Sequence, residues 1–218
     1  MTGPSLDVVA FETGPLQENA YLVIDRDGRD AAIVDPGDDG DRLIAGVEQA
    51  DARLRAIWLT HAHFDHVGAV KALREHFDVP VYLHEADVPM FEAGPFQAAS
   101  YGLPFEGDET PRERFWEGQG LTLGGLSFTV MHTPGHSPGH VTVHGHGIAL
   151  VGDCLFAGSI GRTDLPFGST ADLGHSLRRI VALPPETRVL PGHGAATTVG
   201  EERRSNPWIL ELLGPVQR

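Results

Sequence analysis

One short segment, His61-Ala62-His63-Phe64-Asp65-His66, constrains the fold of this chain more than any other feature. It contains three histidines and one aspartate and directly follows residues 54–59, an apolar run with the character of a β-strand. Residues 67–77 then carry apolar side chains at helical spacing. The segment is therefore predicted to lie where a strand passes into a helix, and α/β enzymes place their chemistry at such junctions.

The side chains of this segment are metal ligands by type and by spacing. His61 and His63 are two positions apart in an extended segment, so both imidazoles can face one point. Asp65 and His66 come at the turn into the helix, which directs them towards a second point nearby. Imidazole and carboxylate groups suit Zn²⁺, Fe or Mn²⁺. The segment therefore predicts half of a two-metal site.

Three later residues can supply the remaining ligands. His136 lies in a turn rich in glycine and proline, and Asp153 and His193 each end an apolar, strand-like run. Taken singly, an aspartate at a strand end is usually a turn former and a histidine in a loop is usually solvated. Taken together with the first segment, these residues offer enough donors for two cations at four strand ends.

The order H-x-H-x-D-H followed by spaced His, Asp and His resembles the metallo-β-lactamase fold superfamily. Within it, residues 152–164 and 191–207 are similar to the glyoxalase II-like hydrolases, particularly the short bacterial type. The resemblance covers nearly the whole chain. It implies an α/β fold, the four-layered αβ/βα sandwich of that superfamily, formed by a single domain over residues 1–218.

The resemblance also implies a ligand set and a reaction. Two divalent metal ions per chain are expected, zinc first, with iron or manganese as alternatives. A hydroxide held between them would attack an acyl-thioester of the S-acylglutathione type. By the same resemblance, the first metal would be bound by His61, His63 and His136, the second by Asp65, His66 and His193, and both by Asp153 as a bridge. Asp65 is in addition the predicted catalytic residue.

A second reading keeps the fold and changes the reaction. Persulfide dioxygenases, which act on glutathione persulfide, share the Gly-Arg-Thr-Asp stretch at residues 161–164 and use one iron that His61, His136 and Asp153 could hold. His140 and the turn at residues 137–139 look more like the hydrolases. Flavodiiron proteins are disfavoured, since they place Glu where this chain has His63. Lactone or β-lactam hydrolysis and a non-catalytic metal module stay open.

One departure from the resemblance bears on the substrate. Full-length glyoxalase II enzymes carry a helical domain after the last metal histidine, and that domain supplies much of the glutathione site. Here residues 194–218 follow His193, and they predict one or two helical turns that begin at capping signals near Thr198 and Asn206. Thioester hydrolysis is therefore better supported than glutathione as the carrier.

Several single residues have two interpretations each. Arg162 is predicted to bind a substrate carboxylate, although Asp164 offers it an ordinary ion pair. Asp35 orients a ligand histidine or forms a turn. Cys154 is expected in a strand, buried and pointing away from the site. His140, like the remaining histidines, is assigned to packing or to the surface. Residues 89–116, without clear periodicity, form either a substrate lid or an excursion packed on the body.

Composition and charge exclude several classes of protein. The chain has 16 basic and 30 acidic residues and a net charge of −14, which argues against nucleic-acid partners. No apolar run approaches the roughly 20 residues of a membrane span, and no signal region is evident. With a single cysteine, a cytoplasmic protein with a small-molecule thioester substrate is expected. A homodimer is left open.

The apolar pattern predicts a strand-rich chain with interposed helices. Residues 31–35 and 149–153 are similar apolar runs that end in Asp, which suggests two similar halves. Helices are predicted at residues 41–50, 66–77 and 171–182, the last with a start signal at Ser169. Strands are predicted at residues 6–11, 20–24, 31–34, 54–59, 79–83, 121–123, 126–131, 140–144, 148–151 and 188–190.

Overall fold

Two mixed β-sheets of six strands each form the centre of the protein, whose computed structural model describes residues 5–214. The first sheet contains, side by side, β1 (Leu6–Thr13), β2 (Glu18–Asp25), β3 (Asp30–Val34), β4 (Arg53–Trp58), β5 (Val81–His84) and β6 (Glu113–Phe115). The second begins with β7 (Gly120–Leu123), β8 (Leu126–His132), β9 (Val141–Gly145) and β10 (Ile148–Gly152). After a two-stranded ribbon of β11 (Leu155–Phe156) and β12 (Ser159–Ile160), the second sheet is completed beside β10 by β13 (Arg188–Pro191) and β14 (Thr197–Thr198).

Eight α-helices are found among the described residues. They are α1 (Gly40–Gln49), α2 (Phe64–Val67), α3 (Val70–Phe77), α4 (Val88–Glu92), α5 (Gly94–Ser100), α6 (Thr170–Ile180), α7 (Val199–Ser205) and α8 (Pro207–Leu213). A 3₁₀ turn, Glu85–Asp87, precedes α4. Within residues 5–214, no helix has the length and apolar character that crossing a membrane requires.

The two sheets repeat one plan, as the similar runs at residues 31–35 and 149–153 predict. β3 pairs antiparallel with β2 and parallel with β4. β10 likewise pairs antiparallel with β9 and parallel with β13. A helix joins the two parallel strands in each half, α1 in the first and α6 in the second. Both β3 and β10 are followed directly by an aspartate, Asp35 and Asp153, so the repeat brings two carboxylates to the sheet ends.

Alternation along the strands fills three apolar cores. Ala20, Leu22 and Ile24 of β2 lie in the core beneath α1 and α3. The intervening Tyr21 and Val23 lie in the core between the two sheets. A third core separates the second sheet from α6, α7 and α8. Successive strand side chains point to opposite faces, so three cores separate four layers. This confirms the predicted single-domain, four-layered αβ/βα sandwich.

The predicted helix starts are also found. The side chain of Ser169 accepts a hydrogen bond from the backbone N–H of Asp172 at the start of α6. Thr198 caps α7, and Asn206 caps α8. These caps satisfy N–H groups that have no partner inside the helix. The last segment thus forms two short helices rather than the one or two turns expected, because each half has its own cap.

The prediction of one helix over residues 66–77 is wrong. The chain forms α2, leaves helical hydrogen bonding at Gly68 and Ala69, and restarts as α3. The N–H of Ala69 donates to Pro36 O at 2.9 Å instead of to its own helix. A Cβ on Gly68 would lie 2.3 Å from the carbonyl oxygen of Gly37, so only glycine permits this approach. Contact with the loop after β3 therefore divides the helix, which periodicity could not indicate.

The remaining predicted elements are found, with bounds that shift by one or two residues. Residues 89–116, which lack clear periodicity in the sequence, contain all but the first residue of α4, together with α5 and the edge strand β6. Both α4 and α5 have proline in the first turn. Because they are only five and seven residues long, they have too few turns to show helical periodicity in the sequence. The ring of Tyr101, after α5, lies 5.2 Å from the ring of Phe64 in α2. The lid interpretation stays a prediction.

Candidate metal centre

Four segments carry the predicted ligands to one end of the two sheets. His61 and His63 follow β4, and Asp65 and His66 lie in α2. The other three are His136 in the turn between β8 and β9, Asp153 directly after β10, and His193 directly after β13. All these segments leave the carboxyl ends of strands, and β8, β10 and β13 run in the same direction within the second sheet. All seven predicted ligand residues are therefore brought into one region.

The first cluster consists of His61, His63 and His136. One ring nitrogen from each lies within 4.8 Å of the others. Nδ1 of His63 and Nε2 of His136 are 2.8 Å apart, so these two nitrogens face one point. His61 and His63 converge as the two-residue spacing predicts, while Ala62 between them is buried in the first core. Three imidazoles directed at one point are a suitable set for one borderline cation.

The second cluster consists of Asp65, His66 and His193, whose ligand atoms also lie within 4.8 Å of one another. Oδ2 of Asp65 is 3.3 Å from Nε2 of His193 and 3.9 Å from Nε2 of His66. His66 is fully buried, whereas the side chain of His193 is 29% exposed. The second cluster is therefore the one nearer to solvent.

Asp153 lies between the two clusters. Its Oδ1 is 3.5 Å from Nε2 of His66, and its Oδ2 is 3.5 Å from Nε2 of His136 and 3.7 Å from Nε2 of His193. A Cβ on Gly192 would lie 2.3 Å from Asp153 Oδ1, so a glycine is required where the β13 loop passes. One carboxylate thus reaches both clusters, which is the position predicted for a bridging ligand.

Unpaired buried atoms support cation binding here. Within residues 5–214, four buried side-chain atoms have no hydrogen-bond partner: Glu18 Oε1, His61 Nε2, His66 Nε2 and Asp153 Oδ1. Leaving such an atom unsatisfied costs about 1–3 kcal/mol. Three of the four belong to the clusters or to the carboxylate between them. The donor set and these atoms therefore fit divalent cations at both positions.

Asp35 lies behind the two clusters and orients one histidine of each. Its Oδ2 accepts a hydrogen bond from Nδ1 of His66 at 3.2 Å and from Oγ1 of Thr60 at 2.6 Å. Because Thr60 donates to Asp35, its oxygen accepts from Nδ1 of His61 at 3.0 Å. Asp35 could also be grouped with His61 and His66 as a ligand. Its Oδ1 accepts from the N–H of Thr60 at 2.7 Å, so both oxygens are already used, and we assign Asp35 to fixing both rings with Nε2 free.

Burial and nearby charge set the protonation of the clusters. Burial lowers the pKa of His61 well below its usual range and that of His63 to about 3. Both rings are therefore neutral at pH 7 and ready to bind a cation. Burial opposes protonation of His66 too, but the carboxylates of Asp153 and Asp65 raise its pKa. Burial also lowers the pKa of His193, but its hydrogen bond to Asp65 outweighs burial, so the pKa is raised.

Asp87 joins the two loops of the first cluster and was missed by sequence reasoning. Its Oδ2 accepts from the N–H of Ala62 at 3.2 Å and from Oγ of Ser137 at 2.6 Å. Its Oδ1 accepts from the N–H of Gly139 at 2.5 Å. Burial raises the pKa of this carboxyl. Asp87 follows an exposed acidic turn in sequence, so nothing marks it as different from a surface carboxylate.

The loop that carries His193 is held by the first sheet. The N–H of Asn19 donates to Gly192 O at 2.7 Å, and its side-chain amide donates to Pro191 O at 3.1 Å. The hydroxyl of Tyr21 donates to the same Pro191 oxygen at 2.8 Å. β2 therefore positions a ligand that belongs to the other sheet. No sequence signal identified this role.

His140, assigned from sequence to packing or the surface, is fully buried against the site. Its Nε2 accepts from the N–H of Asp153 at 3.1 Å, and its ring stacks on that of His61 with centroids 5.1 Å apart. It therefore supports the backbone of Asp153 from behind. The neighbouring Glu18 is buried as well, with Oε1 3.8 Å from Nδ1 of His66, and burial raises its pKa.

Two further predictions concern Cys154 and Arg162. Cys154 is buried as expected, but it lies in a turn after β10 and not in a strand, since its N–H donates to Val151 O. Burial raises the pKa of its thiol to about 12. The guanidinium of Arg162 makes two hydrogen bonds of 2.7 Å to Asp164. Its carbonyl accepts from Nδ1 of His136 at 2.9 Å, so the backbone of Arg162 orients a ligand while its role towards substrate stays a prediction.

Comparison with known proteins covers all of these residues. The family model described as the metallo-beta-lactamase superfamily matches residues 13–193. Hydroxyacylglutathione hydrolase GloC of Haemophilus influenzae is 42% identical over 198 residues, 88% of this chain and 93% of that protein.

Two solved structures show the same fold. The crystal structure of TTHA1623 in a di-iron-bound form superposes with a TM-score of 0.86 at 46% identity, over 92% of this chain and 100% of that one. The crystal structure of the BLEG-1 B3 metallo-beta-lactamase gives a TM-score of 0.87 at 39% identity, over 93% and 99% of the two chains. The fold is therefore shared over more than nine-tenths of this chain.

Proposed function

Because this chain belongs to the metallo-beta-lactamase superfamily and is a metallo-hydrolase similar to GloC, we propose that it hydrolyses acyl-thioesters of the S-acylglutathione class with two bound divalent cations. The observation that carries the proposal is the position of Asp153, whose two oxygens face both histidine clusters. A mononuclear iron site of the dioxygenase type would need only His61, His136 and Asp153. In such a site, Asp65 and His193 would lie close together without binding a metal.

The clusters would hold one cation each, with Asp153 shared between them. Cations bound there lower the pKa of a water molecule to near neutrality and polarise a carbonyl group. Zinc is our first choice, and the di-iron form of TTHA1623 supports iron as the alternative. Neutral His61 and His63 accept a cation without first losing a proton. At the second position, a cation would compete with protons for His66 and His193, because the neighbouring carboxylates raise the pKa values of both.

The protein side chains then orient the reactants. Asp65 is the proposed catalytic carboxylate, because it belongs to the second cluster and also faces the cavity beside it. Cys154 is excluded as a nucleophile by its burial and raised pKa. Arg162, exposed at the edge of the site, is the proposed partner of a carboxylate on the thiol carrier, for which it would exchange its contact with Asp164. The relative named hydroxyacylglutathione hydrolase supports a thioester over a lactone or a β-lactam.

A panel of substrates on protein of measured metal content tests this function. Purified protein is loaded with Zn, Fe or Mn, its metal is counted, and S-acylglutathiones, lactones, a cephalosporin and glutathione persulfide are assayed in parallel. Two metals per chain with thioester hydrolysis as the fastest reaction is the expected result. One iron per chain with oxygen uptake on the persulfide, or faster β-lactam hydrolysis, would overturn the proposal.

A further inference from the structure

A cavity of about 520 Å³ lies beside the second cluster. Its walls come from four places: the turn after β1, the loop after β3, α2, and the segment at residues 103–106. Cavities of roughly 300–1,000 Å³ are typical of small-molecule sites. This volume therefore suits a substrate group of moderate size.

Asp65 connects the cavity to the metal centre. It lines the cavity, and its Oδ2 is 3.3 Å from Nε2 of His193. Phe64, the preceding residue, forms part of the same wall and contacts the ring of Tyr101. A group that enters the cavity is thus adjacent to the second cluster and not at a remote surface.

The walls of the cavity are mainly apolar. Leu16, Phe64, Leu103 and Phe105 contribute side chains to them. Phe105 also packs against the first core, so this wall is supported from behind. Burial of apolar surface against such walls favours hydrocarbon groups, by roughly fourfold in binding for each methylene removed from water.

The polar groups of the cavity exclude anions. Asp38 and Glu106 line it together with Asp65, and no lysine or arginine does so within residues 5–214. Lys71 pairs with Glu106 from outside the cavity and neutralises part of its charge. Glutathione carries two carboxylates, so a cavity of this character disfavours the thiol carrier. Arg162, which can pair with a carboxylate, is not among the lining residues.

We propose that this cavity binds the acyl group of the thioester and selects for apolar acyl chains over anionic ones. The inference rests on the proposed thioester hydrolysis and adds the substrate class within it. It also places the two parts of the substrate separately. The acyl chain lies between Leu16 and Phe105, and the charged carrier lies outside the cavity, towards Arg162. Leu16 and Asp38 are then specificity-determining residues, the first through volume and the second through charge.

The chain length and charge of the acyl group provide the test. Metal-loaded enzyme is assayed with acetyl, hexanoyl and succinyl thioesters of glutathione. We expect kcat/KM for hexanoyl to exceed that for acetyl by at least about tenfold, since four methylenes are added. Succinyl should be the poorest of the longer substrates. Equal values for acetyl and hexanoyl, or a preference for succinyl, would overturn the inference.

Two variants separate volume from charge. Leu16→Trp fills part of the cavity, so the hexanoyl to acetyl ratio should fall by roughly tenfold, while Leu210→Trp on exposed α8 should leave that ratio unchanged. Asp38→Asn should raise kcat/KM for succinyl relative to hexanoyl by roughly 3- to 10-fold, and Asp41→Asn, which does not line the cavity, should not. No change in either ratio would contradict the assignment.

Binding without turnover distinguishes failure of this inference from failure of the function. S-hexylglutathione and S-methylglutathione are thioethers, which cannot be hydrolysed, and their affinities are measured by calorimetry. Tighter binding of the hexyl compound, reduced in Leu16→Trp, supports the cavity even if no thioester is turned over. In that case only the proposed function would be rejected. Equal affinity for both thioethers rejects the cavity assignment, whatever the activity.

Discussion

Replacement of Asp87 by Asn tests how the first cluster is held together. The carboxylate has one backbone N–H on each oxygen, from Ala62 on Oδ2 and from Gly139 on Oδ1, and Ser137 donates to Oδ2 as well. An amide of the same shape has one acceptor oxygen and one NH₂ group. Whichever way the amide of Asn is turned, one buried backbone N–H faces another donor.

The magnitude of the effect follows from these contacts. One unsatisfied buried N–H costs about 1–3 kcal/mol, and the hydrogen bonds that remain lose the assistance of the charge. Burial of the charged carboxylate is unfavourable and raises the pKa of Asp87. The neutral amide of Asn avoids this cost, which offsets part of the loss. We expect the free energy of unfolding to fall by about 2 kcal/mol and the melting temperature by about 4–8 °C. Because the two loops hold His61, His63 and His136, metal affinity at the first position should fall about 10- to 100-fold.

Urea denaturation in the presence of a chelator measures the first quantity, and competition with a chromophoric chelator measures the second. Ser137→Ala is the graded control, since it removes one donor, leaves both N–H groups satisfied and should cost about 1 kcal/mol. Asp7→Asn, which breaks an exposed ion pair with Arg26, should cost less than about 1 kcal/mol. The reasoning is refuted if Asp87→Asn is no more destabilising than Ser137→Ala and binds metal like the wild type.

Three further predictions concern other parts of the molecule. Asp153→Ala should lower metal content at both positions, with at least about 10- to 100-fold weaker binding, because one carboxylate faces both clusters; full loading by elemental analysis would contradict this. Burial lowers the pKa of the half-buried His84 to about 4, so the folded state disfavours its charged form. The preference for neutral His84 stabilises the folded state, and this contribution is complete above pH 6.5. It is lost as the pH falls towards 4 and amounts to about 1–2 kcal/mol after solvent screening. Urea titrations should therefore show a flatter pH dependence for His84→Gln, but not for His175→Gln on an exposed helix face. Phe167 is 73% exposed with φ 71°, so Phe167→Gly should raise the free energy of unfolding by about 1 kcal/mol, whereas Phe96→Gly in α5 should lower it; the same sign in both would refute the strain argument.

Local chemistry in the sequence determined most of the metal centre. His61, His63, Asp65 and His66 are neighbours in the chain, so their convergence needs only a strand and a turn. Strand alternation and capping residues likewise determined the layers and the starts of α6, α7 and α8. These features depend on contacts between residues close in sequence, which is why periodicity and spacing identify them.

Contacts between distant segments were decided only by the tertiary structure. The break at Gly68 comes from the approach of the loop after β3, and Asp87 becomes a link between two loops only when β5 lies beside them. His140 and Asn19 gained their roles in the same way, through groups that are distant in the sequence. The sequence around these residues does not identify their roles, since a buried carboxylate or amide is the same residue type as an exposed one.

The cavity beside Asp65 shows the same division. The sequence predicted two neighbouring clusters of metal-ligating side chains, because the ligand types and their spacing are sufficient for that prediction. Which substrate group fits beside the metal centre depends on four segments that form the cavity. They are separated by up to about 90 residues, from the turn after β1 to residues 103–106. The volume and charge of a cavity are properties of surfaces that meet in three dimensions, so only the folded chain defines them.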